Sequence, residues 1–222
     1  MNDFDINEID SSLYDFKDDE SDFYRLSSGL TEDTVRQISE EKNEPTWMRE
    51  FRLKALEAYE KQGITNWGPS IDELDMANIS TYVRANTKMN ASWDDVPDDI
   101  KNTFEKLGIP QAERASLAGV GAQYDSELVY HNVKDEVAKQ GVVYTDMESA
   151  LTGEYADMVK SHFMKLVPIY DHKFAALHGA VWSGGSFVYV PKGVHLSIPL
   201  QSYFRFNAKG AGQFEHTLII VD

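Results

Sequence analysis

Arg205 and Asn207 stand two residues apart in the run Tyr203-Phe204-Arg205-Phe206-Asn207. In a strand, alternate side chains share a face, so Tyr203, Arg205 and Asn207 project together and Phe204 and Phe206 project the other way. The aromatic face is then expected to be core. The opposite face offers a forked set of guanidinium donors and an amide, groups that can hold an anion by charge-assisted hydrogen bonds. A solvated polar face is the plainer reading of the same pattern. The histidines are His131, His162, His172, His178, His195 and His216. None forms a helical i, i+4 metal pair or an alternating strand pair, and surface or hydrogen-bonded imidazoles fit them best. His178 and His195 fall on neighbouring β segments where they could meet, without an obvious third ligand. Glu148 with Glu154, or Glu154 with Asp157, would suit glycoside hydrolysis, but 37 acidic residues make such pairs common by chance. Gly119-Val120-Gly121 starts like a phosphate loop and lacks the third glycine, the Lys-Ser/Thr ending and a preceding strand, so no nucleotide site is expected there. There is no Gly-x-Ser-x-Gly elbow, and Ser183 lies in a Gly-rich turn with no histidine close in sequence.

The elements that must position these groups fall into two parts. Acids near Glu32 and Asp33 favour the start of a helix over Thr31–Glu41. Pro45 interrupts, and Thr46 can cap a second helix ending near Gly63. In that helix Trp47, Phe51, Ala55 and Tyr59 make one apolar face, with Arg52, Lys54, Glu57 and Lys61 elsewhere. Residues 64–80 read as loop around Trp67-Gly68-Pro69, and Pro97–Leu107 as a short helix that Gly108 follows. Leu128-Val129-Tyr130 and Val142-Val143-Tyr144 are β-like runs around a helix over Val133–Lys139, and Glu154–Leu166 reads as helix. Beyond Lys173 the apolar runs Phe174–Val181, Ser186–Val190, Val194–Leu200, Ser202–Phe206 and Thr217–Val221 read as short strands. With no helix-length segment between them, a sandwich, barrel or solenoid is expected rather than a βαβ sheet.

Length and composition narrow the function classes. The chain has 222 residues and a net charge of −16, which argues against duplex nucleic acid or a membrane surface as partner. It has no cysteine, so disulfides, thiolate nucleophiles and cysteine-ligated zinc or clusters are excluded within it. Met1–Asp10 carries acids and no base, unlike a signal or transit peptide, and no apolar run reaches the ~20 residues of a membrane span. A cytoplasmic protein is expected. Acidity concentrates between Asp3 and Asp22, so residues 1–25 read as an acidic, disordered tail. Phe4, Ile6, Leu13, Tyr14 and Phe16 would alternatively anchor it on a basic groove. The apolar run Leu218–Val221 is expected to present an open strand edge, as in a fragment or a chain that pairs with another.

Longer motifs carry a resemblance. Ala180-Val181-Trp182-Ser183-Gly184-Gly185-Ser186-Phe187, Tyr189-Val190-Pro191-Lys192-Gly193-Val194, Ile198-Pro199-Leu200-Gln201, Tyr203-Phe204-Arg205, Asn207-Ala208 and Gly212-Gln213-Phe214-Glu215 resemble the SufB family, scaffold subunits of the SUF iron–sulfur cluster assembly system. So do Ala118–Glu127 and Gly141-Val142-Val143-Tyr144. The resemblance covers about residues 45–222. The Val-Pro-x-Gly-Val turn is shared with the paralogous SufD family, whereas Trp-Ser-Gly-Gly-Ser and Tyr-Phe-Arg-x-Asn look like SufB. His216 stands where the family pattern has arginine.

The resemblance implies an α+β chain: a helical N-terminal region over 26–125, a mixed connecting region over 126–172, and the first coils of a right-handed parallel β-helix over 173–222. It implies a scaffold rather than an enzyme, working with a SufC-like ATPase, a SufD-like paralogue and a sulfur-donating desulfurase, and carrying a transient iron–sulfur cluster on the complete scaffold. The sulfur-accepting cysteine and cluster ligands would then lie beyond Asp222. Arg205 and Asn207 match family positions on the sulfur path. The alternatives are a SufB-like binding module without assembly activity, or a carbohydrate-active β-helix protein.

Overall fold

In a computed structural model, residues 16–18, 23–67, 70–71, 73–85, 92–107, 117 and 119–222 are described. Strand β1 (Phe23–Arg25) pairs antiparallel with β2 (Val83–Ala85). Helices α1 (Glu32–Glu41) and α2 (Thr46–Lys61) lie between them in sequence. Helix α3 (Asp98–Lys106) precedes the hairpin of β3 (Gly119–Tyr124) and β4 (Glu127–Val133). Then come the one-turn α4 (Asp135–Ala138), β5 (Val143–Asp146), α5 (Met147–Thr152) and α6 (Ala156–His162). Helix α7 (Lys173–Val181), β6 (Ser186–Val190), β7 (Leu200–Arg205) and β8 (Leu218–Val221) follow.

Two three-stranded sheets, ordered β4-β3-β7 and β5-β6-β8, share a plan. In each, an early antiparallel pair gains a later strand in parallel: β7 on β3, from Gly119 opposite Leu200, and β8 on β6, from Phe187 opposite Leu218. The architecture is α+β with mixed sheets. It places two strands, β2 and β3, inside the stretch expected to be helical.

The expected strand over Phe174–Val181 is a helix, α7. His172 caps it, its Nδ1 accepting from the backbone N–H of Phe174 and Ala175, both at 3.2 Å. Six of its nine residues are buried, so it shows no amphipathic period to separate a helix from a buried strand. It packs on α1 and α2 through Val35, Ile38, Ala55, Leu56, Ala176 and Val181. The strand expected over Val194–Leu200 starts only at Leu200, because Pro191-Lys192-Gly193 turns the chain and Pro199 offers no N–H. The helix expected over Glu154–Leu166 shrinks to Ala156–His162, ending before Met164, which has a left-handed φ of 47°. Pro45, not Thr46, stands at the cap position of α2.

The apolar face of α2 is also rotated from the expected one. Met48, Arg52, Ala55 and Leu56 are buried, with Arg52 fully so. Its guanidinium donates to Glu44 and to the carbonyls of Ala180 (3.1 Å) and Trp182 (2.9 Å), at the negative end of α7. A buried cation is tolerated because each donor direction meets an acceptor.

Candidate functional site

Arg205 ends β7 and Asn207 follows two residues later. Both are buried, at 8% and 0% exposure, while Phe204 and Phe206 are 41% and 39% exposed. This reverses the expected facing. The Arg205 face of β7 turns toward polar partners, so the guanidinium and amide are buried with hydrogen bonds. Phe204 instead lines an open pocket of about 440 Å³ with Leu196, Ile198, Leu200 and Ile219. Aromatic identity alone therefore marks the wrong side of this strand.

Asp125 organises the buried side. It sits in the β3–β4 turn with a left-handed φ of 52°, a conformation that Asp tolerates better than most residues. Its Oδ1 accepts from the backbone N–H of Asn207 (2.7 Å) and Ala208 (2.9 Å), and its own N–H donates to the Arg205 carbonyl (2.8 Å). The strand end bearing the Arg205–Asn207 pair is thus fixed by the hairpin turn of a neighbouring strand.

The pair has company from the acidic N-terminal stretch. The backbone N–H of Asp18 donates to Asn207 Oδ1 at 2.8 Å, and Asn207 Nδ2 returns a bond to the Asp18 carbonyl at 3.4 Å. Arg205 donates to the Phe16 carbonyl, and its guanidinium lies 4.5 Å from the centre of the Phe16 ring. Tyr124 OH (2.5 Å) and Thr103 Oγ1 both donate to Asp18 Oδ2. Burial and the Asp18 carboxylate together push the Tyr124 hydroxyl well above its usual range. Within the stretch expected as a disordered tail, then, Phe16–Asp18 lies on the site and Phe23–Arg25 forms β1. Phe4, Ile6, Leu13 and Tyr14 lie outside the described residues.

A second polar cluster holds the turn Ser183-Gly184-Gly185. Lys42, its side chain 4% exposed, reaches Glu127 Oε1 at 2.7 Å and Glu148 Oε1 at 2.8 Å. Glu148 Oε1 also accepts from Gly184 N–H (2.8 Å), and Gln123 Oε1 accepts from Gly185 N–H (2.8 Å). Burial lowers the affinity of Lys42 for its proton, but the two carboxylates more than offset it and hold the value above that of a free lysine. Burial works to raise Glu148, and Lys42 outweighs it, so Glu148 stays below the usual carboxylate value. Gly184 and Gly185 have φ of 72° and 99°, and a Cβ on Gly185 would sit 2.2 Å from the His216 carbonyl oxygen. The paired carboxylates are Glu127 and Glu148, bridged by Lys42. Glu154 and Asp157, which the pairs considered for sugar hydrolysis would use, are exposed.

His178 meets His216, not His195. The His178 Nε2 and His216 Nδ1 atoms are 2.8 Å apart, while His195 is exposed. Burial, then the Arg52 charge, lowers His178 to about 4; burial, then His178 and Arg52, lowers His216 to about 3. Both stay neutral near pH 7 beside a pocket of about 380 Å³ lined also by Met164, Phe174 and Leu218. Among the described residues no group of three or more His, Asp or Glu side chains is placed to hold a metal. Gly119 and Gly121 lie in the middle sheet strand, where an added Cβ would meet the Tyr144 ring at 2.7 Å and its hydroxyl at 2.8 Å, so they serve packing and not a phosphate loop.

Alternation along the strand puts Arg205 and Asn207 on one face; the structure adds Asp125, Tyr124, Thr103 and Asp18 around them. Asp125 was legible only as part of a motif, and the Phe16–Asp18 contact spans 189 residues with no local signal.

The model of the SufBD protein N-terminal region matches residues 30–202. The chain belongs to the SufBD family. An iron–sulfur cluster assembly SufBD family protein of Staphylococcus aureus (strain USA300) is 51% identical over 209 residues, covering 94% of this chain and 45% of the relative. One from Staphylococcus haemolyticus (strain JCSC1435) matches at the same identity and coverage. The chain thus spans about half the length of the curated SufBD relatives it matches. Its SufBD membership agrees with the resemblance carried by the Trp182–Phe187 and Tyr203–Asn207 motifs. No helix among the described residues is long and apolar enough to cross a membrane.

Proposed function

We propose that the protein works as a SufB-like scaffold component in iron–sulfur cluster assembly, not as an enzyme in its own right. In this reading a SufC-like ATPase, a SufD-like paralogue and a desulfurase act with it in the cytoplasm. Sulfur and the nascent cluster are its cargo. The chain has no cysteine, so the thiolate that receives sulfur would come from outside these 222 residues. The two parallel additions, β7 on β3 and β8 on β6, support a β-helix beginning in this region, since each lays a later strand beside an earlier one.

The observation that carries the reading is the burial of Arg205 and Asn207 side by side, positioned by Asp125. A buried guanidinium is a permanent cation with planar, forked donors. Beside it an amide supplies a further donor at a fixed distance along the strand. That combination stabilises a persulfide anion in transit by charge-assisted hydrogen bonds, without surrendering a proton to it.

Arg205→Lys keeps the charge and loses the fork. The test uses the natural full-length protein in complex with its partners, supplied with radiolabelled cysteine and a desulfurase. The expected result is a severalfold loss of sulfur retained on the complex, with the thermal midpoint within a few degrees of wild type. Undiminished sulfur retention would overturn the assignment.

A further inference from the structure

The Arg205–Asn207 site is already occupied by this chain's own N-terminal stretch. Phe16 lies between two cations, with Arg205 4.5 Å and Lys106 5.1 Å from its ring centre. Lys17 Nζ donates to the Phe206 carbonyl at 3.2 Å and lies 5.5 Å from the Phe206 ring. Asp18 pairs with Asn207 through its backbone in both directions and places its carboxylate between Tyr124 and Thr103. Three consecutive residues thus engage α3, β3 and the end of β7 at once. An aromatic ring, two backbone carbonyls and a carboxylate meet the cation, the amide and the hydroxyls that an incoming anion would use.

We propose that Phe16–Asp18 is a strap that fills the Arg205–Asn207 site in cis and must lift before the pair can meet an anion from outside. The gating role rests on the anion-handling reading of that pair; the occupancy itself does not. The contacts are suited to release. They involve three consecutive residues, Lys17 is exposed, and cation–π contacts and single hydrogen bonds are individually weak. A segment of this kind opens locally without unfolding the sheets beneath it.

The strap is tested on the full chain with phenylglyoxal, which modifies accessible guanidinium groups, read out by peptide mass spectrometry. Arg205 should react about tenfold faster in Phe16→Ala and in Asp18→Asn than in wild type, as its open population rises. Arg52, fully buried far from the strap in sequence, is the internal control and should stay protected. If Asp18→Asn loosens the whole fold, Arg52 reacts as well, and Phe16→Ala then decides. An unchanged Arg205 rate in the variants with Arg52 protected overturns the strap. Thiosulfate, a sulfur-bearing anion, is then added to the opened variants. Protection of Arg205 supports both the strap and the anion site. Faster modification without protection leaves the strap standing and removes the anion-handling reading beneath its gating role.

Discussion

Lys42→Met removes the cation between Glu127 and Glu148 while keeping most of the side-chain volume. In the wild type the ammonium is 4% exposed, and the two glutamates are 26% and 20% exposed. Breaking a buried ion pair by deleting one partner costs about 3–5 kcal/mol. Glu127 keeps a bond from the Tyr82 hydroxyl and Glu148 keeps the Gly184 N–H, and both retain some water, so the lower end, about 3 kcal/mol, is expected. For a chain of this size that is a fall of about 6–12 °C in the thermal midpoint. The pH dependence sharpens the test. Glu148 is held below the usual carboxylate value in the fold, so its contribution is present above about 4.5 and is lost as pH falls through the lower folded value. Without Lys42, burial instead raises Glu148, and protonation relieves the fold. The deficit of Lys42→Met, measured by urea unfolding, should therefore be largest at pH 7 and shrink at pH 5. A deficit below about 1 kcal/mol, or one that does not change with pH, would refute the picture of a buried, coupled network.

Gly185→Ala should lower stability by about 1–3 kcal/mol, since the new Cβ meets the His216 carbonyl and φ is positive; a wild-type melting curve would contradict the geometry of that turn. The His178–His216 pair predicts acid lability. Both imidazoles have folded pKa values below the ordinary 6.5, so their contribution is complete above 6.5 and is lost as pH falls toward 4. At pH 5 each can contribute up to about 2 kcal/mol of lost stability, less its residual solvent contact. His216→Phe should flatten the stability profile between pH 7 and 5, and an unchanged slope would count against the buried pair.

Much of this fold was readable because its signals are local. Thr31 caps α1 through a bond to Thr34 N–H, with Glu32 and Asp33 in the first turn, and the observed helix starts one residue after Thr31. The alternation through β7 correctly put Arg205 and Asn207 together. It could not say which face was inside, because that depends on Asp125 and Asp18, which are 82 and 189 residues away from Asn207 in sequence. A polar residue is buried when its partners arrive from elsewhere, and no window of the chain contains them. Helix α7 reads as a strand in sequence for a related reason. An apolar segment buried all round has no periodicity, and only the His172 cap marks its start. Sequence sets Arg52 off the apolar face of α2 and gives no sign of its burial, because its three acceptors lie on Glu44, Ala180 and Trp182, two of them beyond any helical window.

Under the proposed function Arg205 serves iron–sulfur assembly and not the stability of the fold. That role is tested most directly in cells depleted of the protein, by measuring iron and acid-labile sulfide in their cluster-containing proteins. Depletion should lower both, and the wild-type protein should restore them, while Arg205→Ala should not, although it accumulates to the same level. Unchanged cluster content on depletion, or full restoration by Arg205→Ala, would contradict it.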